Sequence, residues 1–280
     1  MPSGHEGWFE LYPPGASLLT DARLQLHHAV QLATAAGISY LPAAPDDSHT
    51  NLEWIPELRA LLSARVPGPR PIRVGIRVPD LNLLVTDGND AVIHRAPLGG
   101  RVLADAAAWL KDTLASVGLD ATRFTPKRHY EIPSHPVATG AAFRVDTRAF
   151  EELTRWFGDG DTVLRASTAR TTGADDVRCW PHHFDIATLI HVAPGRTVGV
   201  GLEPGDGDYA EPYFYVNLTP PPAAAAVERV PLAGNGHWHT SGWIGAVLPG
   251  TRLGSHGGAQ EAQVREFIDS AVAACRQLLG

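Results

Sequence analysis

The alternating stretch between Pro71 and Pro79 constrains the fold of this chain most. Every second residue in it is apolar, namely Ile72, Val74, Ile76 and Val78. Such a period of two predicts a β-strand with one buried face and one face toward water. The turn sequence TDGND follows at residues 86–90, so residues 72–97 predict an antiparallel hairpin.

Four other stretches have the 3.6-residue spacing of amphipathic helices. Residues 18–37 predict a first helix that ends at Gly37, and residues 101–120 predict a second that ends at Gly118. A third begins after an N-cap at Asp146 or Thr147 and ends at Gly158. The fourth is C-terminal, with an apolar side formed by Val264, Phe267, Ile268, Ala271, Val272 and Cys275.

The second half of the chain is rich in predicted strands. These lie at residues 162–168, 175–192, 196–204, 211–219 and 237–248. Residues 53–65 fit either a short helix or a strand, and both alternatives stay open. Helices alternating with antiparallel strands predict an α+β fold.

The order of the elements predicts two similar halves packed together. Each half has a helix, a segment with a tryptophan (Trp54 or Trp180), a hairpin, a Gly-rich bend and a closing helix. We therefore predict an internal repeat, with an N-terminal half at 1–120, a proline-punctuated connector at 121–145 and a C-terminal half at 146–280.

Composition argues against several classes of partner. The 280 residues have a formal net charge of −7, and Lys111 and Lys127 are the only lysines. Because the sequence contains no basic patch, nucleic acid is not an expected partner. The sequence contains no apolar run of about 20 residues, so a membrane span is not expected. With only two cysteines, Cys179 and Cys275, the chain is expected to be reduced and cytoplasmic.

A short motif around Trp180 resembles a bacterial family known only as a domain of unknown function. That family has an aromatic-Trp-Gly-x-Phe-Asp-Leu-Ala strand followed by a Gly-Arg turn. The matching residues are Trp180, Phe184, Asp185, Ala187, Gly195 and Arg196. The segment Pro181-His182-His183 departs from the family pattern, and the resemblance implies no known activity.

Four residues predict a metal site. In a strand over residues 179–190, His183 and Asp185 would share a face, opposite His182 with Trp180 and Phe184. The same alternation puts His237 and His239 on one face. Histidine with carboxylate is a ligand set for zinc or iron, and His183, Asp185 and a distant histidine also fit the triad of a non-heme iron oxygenase. In that reading Arg252 would anchor an acidic co-substrate.

Other residues offer further or plainer interpretations. Glu131 and His135, in the irregular connector, are candidate catalytic residues that would contact substrate. Cys179 beside His182 is a candidate nucleophile, although a thiol in an apolar strand is usually inert. His182 also fits simple packing, Asp185 a strand-end tie, and His237 and His239 a solvated loop.

The sequence thus predicts a protein that takes a small-molecule ligand. The first hypothesis is an enzyme, leaning toward one dependent on a divalent metal, zinc or iron. The alternative is a non-catalytic binding protein whose aromatic wall comprises Tyr209, Tyr213, Tyr215, Trp238 and Trp243. A scaffold subunit without a site is the third class, and the sequence leaves the oligomeric state open.

Overall fold

The computed structural model of the chain describes residues 8–11, 16–254 and 256–280. These residues form five α-helices and eleven β-strands with antiparallel pairing, so the chain is an α+β protein. Contacts divide it into two compact units. Unit 1 comprises Leu18–Thr154 and Cys179–Phe184. Unit 2 comprises Arg155–Arg178 and Asp185–Gly280 with the described residues before position 18.

Unit 1 contains six strands in the order β6-β1-β2-β3-β4-β5. In chain order, the helices and strands from the first helix to strand β6 are α1 (Ala16–Tyr40), β1 (Leu52–Ile55), β2 (Ala60–Ser63), β3 (Ile72–Arg77), β4 (Asn82–Asp87), β5 (Val92–Pro97), α2 (Leu103–Ser116), α3 (Thr147–Thr168) and β6 (Arg178–Trp180). Single-turn 3-10 helices lie at Ser48–Thr50 and Pro136–Thr139. Helix α3 begins in unit 1, and its residues from Arg155 onward belong to unit 2.

Unit 2 contains five strands in the order β10-β11-β9-β8-β7. Its remaining elements are β7 (Asp185–Ala193), β8 (Arg196–Glu203), β9 (Tyr213–Thr219), the short α4 (Ala224–Val227), β10 (His237–His239), β11 (Gly245–Pro249) and α5 (Gly257–Leu279). A 3-10 turn at Gly250–Arg252 precedes α5. The apolar side of α5 is buried as predicted, except that Val272 is only partly covered.

Two helices run further than their glycines predicted. Helix α1 continues past Gly37, whose carbonyl accepts the helical hydrogen bond from the Leu41 amide at 3.0 Å. Helix α3 passes through Gly158 and ends at Thr168, so the strand predicted at 162–168 is wrong. The predicted N-cap is confirmed, because Asp146 Oδ1 accepts a 3.0 Å hydrogen bond from the Ala149 amide.

Several strand predictions also change. Residues 53–65 form the β1–β2 hairpin, which resolves the open alternative in favour of strands. The antiparallel strands predicted over residues 72–97 are confirmed as β3, β4 and β5, and the TDGND turn joins β4 to β5. The predicted wet face of β3 is wrong: residues 72–76 are all buried, and Arg73 is only 2 % exposed. The stretch 237–248 is two paired strands, β10 and β11, rather than one.

The stretch 175–192 is not one strand either. Residues 181–184 form a turn between β6 and β7, in which the Phe184 amide donates to the Trp180 carbonyl at 2.6 Å. Phe184 has a φ of 78°, which a strand cannot contain. The face assignment of His183 with Asp185 therefore fails, because period-two alternation does not pass through a turn.

The predicted repeat of two halves, and its boundaries at 120 and 146, stay predictions. Residues 121–145, the predicted connector, lie in unit 1. None of the described helices combines the length and the hydropathy needed to cross a lipid bilayer.

Candidate functional site

One face of the unit 2 sheet is polar, and we call it the polar face. The strand register places Glu203 beside Tyr213, and Tyr215 in one row with Gly201, Val247 and His237. Directly opposite residues of antiparallel strands point to the same side. The polar side chains of this face are Asp185, Glu203, Tyr213, Tyr215, Asn217, His237 and His239, and the apolar Ala187 and Val247 lie on the same face.

The opposite face of the same strands is apolar. Ile186, Leu202 and Phe214 on this face are completely buried. Helix α5 packs on strands β8, β9 and β11 in unit 2, and its Phe267 is completely buried. Trp238 alternates with His237 and His239 and donates its indole N–H to the Val230 carbonyl at 2.9 Å. Trp238 therefore does not belong to the aromatic wall that the sequence predicted.

Three strand glycines form the floor of the polar face. A Cβ atom on Gly201 would lie 2.6 Å from the Tyr215 ring, and one on Gly199 would lie 2.3 Å from Asn217 Oδ1. A Cβ atom on Gly245 would lie 2.4 Å from the Trp243 ring. Because these glycines lack side chains, the neighbouring aromatic and amide groups approach the strand backbone closely. Glycine inside a strand marks such a close approach.

Two carboxylates are buried at one end of the polar face. Asp185 is 6 % exposed and Glu203 is 7 % exposed. They face each other on β7 and β8, because their neighbours Ile186 and Leu202 are register partners. The hydroxyl of Tyr215 donates to Asp185 Oδ2. Burial, and then the charge of Asp185, raise the pKa of Tyr215 well above its ordinary value, so this phenol stays protonated.

A turn at residues 205–209 borders the carboxylates. Asp206 Oδ1 accepts from the backbone amides of Asp208 and Tyr209, both at 2.8 Å. Asp206 Oδ2 accepts from the Tyr213 hydroxyl at 2.7 Å. Burial and the nearby Glu203 raise the pKa of Tyr213. The acidic turn is thus tied to the sheet by hydrogen bonds rather than solvated as an independent loop.

A directed chain of hydrogen bonds crosses the other end of the polar face. His239 Nε2–H donates to the Ser241 carbonyl at 2.6 Å, so its Nδ1 must accept from the Tyr209 hydroxyl at 3.0 Å. The Tyr209 oxygen then accepts from His237 Nε2–H at 3.2 Å. Arg252 donates to His237 Nδ1 at 3.2 Å. Burial, followed by the Arg252 charge, lowers the pKa of His237, which agrees with a neutral imidazole.

The four predicted metal ligands do not come together. Strands β7 and β10 are four strand spacings apart, so about 19 Å separates Asp185 from His237 and His239. His183 is the exposed residue of the 181–184 turn and belongs to unit 1. Within the described part of the chain, no group of three or more His, Cys, Asp or Glu side chains is arranged to hold a metal ion.

The 181–184 turn is held by helix α1 within unit 1. The Pro181 carbonyl accepts from His27 Nε2–H at 2.8 Å and from Gln31 Nε2–H at 3.0 Å. The His27 ring stacks on Phe184 with 4.7 Å between the ring centroids. His182 is half-buried, with its ring 6.0 Å from that of Trp180. Burial lowers the pKa of His182, which agrees with a ring that packs against its neighbours rather than one surrounded by water.

The remaining sequence candidates have structural surroundings in unit 1. His135 Nδ1 accepts from the Val137 amide at 3.3 Å, and its Nε2–H donates to Asp21 at 3.0 Å. His135 therefore caps the 3-10 helix Pro136–Thr139 through Nδ1 and bonds helix α1 through Nε2. Glu131 is exposed. Cys179 is completely buried, which does not suit a nucleophile.

Because His27 is buried in its neutral form, we expect the protein to lose stability in mild acid. Burial lowers its pKa to about 3, whereas the unfolded chain takes up a proton near the ordinary value of 6.5. Its contribution to stability is complete above pH 6.5 and is lost as the pH falls toward 3. When the pH is lowered from 7 to 5, the wild type should lose about 2 kcal/mol more unfolding free energy than the His27→Gln variant does.

Urea unfolding at both pH values measures this effect. Gln31 still donates to the Pro181 carbonyl in the variant, so the turn keeps one of its two ties. A loss between pH 7 and pH 5 that equals the wild-type loss would contradict the role assigned to His27.

The chain matches no protein-family model, no curated protein and no solved structure. The resemblance carried by Trp180, Phe184 and Asp185 therefore stays a prediction. Function has to be argued from the polar face and the surroundings of its side chains.

Proposed function

We propose that the protein binds a small organic molecule, rich in hydrogen-bond donors, on the polar face of unit 2. The observation that carries this proposal is the glycine floor. Gly199 and Gly201 weaken a strand that would be more stable with β-branched residues, and both lie under groups of the polar face. A sheet face used only for packing would favour apolar side chains at these positions.

The chemistry of the polar face defines the class of ligand. Asp185 and Glu203 supply carboxylate oxygens, and Asn217 adds an amide. Hydroxyl and amine groups are the natural partners of such acceptors. The ring of Tyr215, and that of Trp243 stacked on His239 with 4.5 Å between the ring centroids, add aromatic surface that a ligand can contact. Sugars and small organic amines combine donors with a surface that can stack on an aromatic ring.

This proposal follows the binding-protein alternative more closely than the metal-enzyme hypothesis. Both ring nitrogens of His237 and of His239 are engaged in the directed chain. A metal ion would have to displace those bonds before either imidazole could bind it. A divalent metal, zinc or iron, stays a prediction from the sequence alone.

Acid–base catalysis is a second candidate on the same face. The observation that favours it is the protonated Tyr215 hydroxyl on the buried Asp185 carboxylate, with Glu203 opposite. A phenol and a carboxylate in contact can exchange a proton with a substrate that enters between them. In this reading Asp185 is the base and Tyr215 the acid.

A ligand screen on the whole chain tests the binding proposal. Thermal-shift measurements with a panel of monosaccharides and small amines should raise the Tm of the wild type with at least one member. Tyr215→Phe keeps the ring and removes the hydroxyl, and Gly201→Leu displaces the ring. We expect both to weaken binding of that member at least tenfold by calorimetry.

The matched control is Tyr40→Phe in unit 1, which removes a hydroxyl that donates to the Asp120 carbonyl. It should leave the affinity unchanged. Equal affinity of wild type and Gly201→Leu, in folded protein, would refute binding on the polar face. Turnover of the bound compound that disappears in Asp185→Asn would establish the catalytic candidate, whereas binding without turnover would leave the binding protein.

A further inference from the structure

Unit 1 contains a cavity of about 340 Å³, and none of the residues of the polar face line it. It lies between α1, the start of α2 and the segment 126–140. Ligand sites in proteins typically occupy about 300–1,000 Å³, so this cavity suits a small compound. It is independent of the site proposed for unit 2.

The walls of the cavity are mostly apolar. Leu32 comes from α1, Leu103 and Ala107 from α2, and Val137 from the 3-10 helix. Gln31, a polar lining residue, is already engaged: its Oε1 accepts from the Tyr130 hydroxyl at 2.8 Å, and its Nε2–H groups donate to two backbone carbonyls. The body of a ligand would therefore contact hydrocarbon.

Arg128 is the one charged residue among those that line the cavity. Its Nε–H donates to the Tyr130 carbonyl at 3.1 Å, which fixes the side chain. Within the described chain no carboxylate pairs with its two terminal nitrogens. A guanidinium in this state can bind a carboxylate through two parallel hydrogen bonds.

The positive charge of Arg128 acts on its surroundings. Burial lowers the pKa of His28, and the charge of Arg128 lowers it further. The N-terminus of helix α2 adds a smaller positive potential, because its N-cap residue Val102 lines the cavity without a side-chain cap, while the exposed Asp105 in the first turn partly offsets it. The potential at the cavity wall thus favours an anion.

We propose that the unit 1 cavity binds a small organic acid, with its apolar body against Leu32, Leu103 and Val137 and its carboxylate on Arg128. An apolar cavity with one fixed guanidinium selects both properties together. A neutral compound of the same shape would lack the ion pair, and a bare anion would lack the apolar contacts.

Benzoate and its neutral isostere benzamide are the probes, used with the full chain in calorimetric titrations. We expect benzoate to bind the wild type at least tenfold more tightly than benzamide does. Arg128→Gln should remove that preference, since the amide keeps hydrogen-bonding capacity without the charge. Inorganic phosphate should compete with benzoate only weakly.

Arg123→Gln is the matched control. Arg123 lies over the Tyr40 ring and does not line the cavity, so its loss changes net charge equally and should alter the affinity for benzoate less than twofold. Ala107→Phe fills the cavity and should abolish benzoate binding, with circular dichroism confirming the fold.

Three results would each overturn the proposal. One is the absence of measurable benzoate binding to the folded wild type. Another is equal affinity for benzoate and benzamide. The third is benzoate binding that Arg128→Gln leaves unchanged, or that Arg123→Gln weakens as much as Arg128→Gln does.

Discussion

Replacing Arg73 with Met will lower the unfolding free energy of the protein by about 3 kcal/mol. The Arg73 side chain is 3 % exposed and forms ion pairs with Glu53 at 2.9 Å and Asp90 at 3.2 Å. Its Nε–H also donates to the Ser63 carbonyl at 2.6 Å. Methionine matches the aliphatic stem but leaves two carboxylates and a carbonyl without this donor.

Chemical unfolding of matched variants measures the effect. Arg95→Met, on strand β5 of the same unit where the side chain is exposed, removes one arginine without breaking a buried pair. It should change the unfolding free energy by less than about 0.5 kcal/mol. Similar losses for the two variants would show that the ion pairs of Arg73 contribute little.

Gly37→Ala will destabilise the protein by about 2–3 kcal/mol, although alanine is the better helix former. A Cβ atom at position 37 would lie 2.1 Å from the His49 carbonyl oxygen. That oxygen belongs to the backbone of the 3-10 helix Ser48–Thr50, which cannot move aside as a side chain could. The clash outweighs the gain of about 1 kcal/mol in helix propensity.

Gly258→Ala near the start of α5 provides the control. Nothing lies within 4 Å of a Cβ atom built there, so this substitution should be neutral or stabilising. Thermal unfolding of both variants gives the comparison. An increase in Tm for Gly37→Ala would show that α1 and the 48–50 segment separate easily.

Gly37 shows why some local predictions failed while others held. A glycine at the end of an apolar stripe predicts a helix end, and Gly118 after α2 confirms that rule with a φ of 87°. Gly37 instead makes room for the carbonyl of His49, twelve residues further along the chain. Which role a glycine has depends on tertiary contacts that the local pattern does not contain.

The buried face of β3 has the same explanation. The arginine at position 73 indicated that this face of the strand is exposed to solvent, because unpaired arginines are rarely buried. Its partners Glu53 and Asp90 are 20 and 17 residues away in the chain. Pairing at that separation depends on strand order, which alternation within one strand does not specify.

The candidate site was partly predictable. The sequence named Asp185, Tyr213 and Tyr215, and the glycines of the β8 sequence TVGVGLE carry a signal that was not used. Gly199, Gly201 and Glu203 recur at every second position, which puts two side-chain-free positions and a carboxylate on one face. The metal grouping failed because spacing along the chain cannot show that β7 and β10 are far apart.

The directed chain through Tyr209 limits what a ligand can meet at that end of the polar face. Arg252 can only donate, and the Ser241 carbonyl can only accept, so the protons between them have a single arrangement. The Tyr209 hydrogen is committed to His239, and the His237 hydrogen is committed to Tyr209. A compound that contacts Tyr209, His237 and His239 meets ring surfaces whose protons are already committed, and will be selected there by its shape.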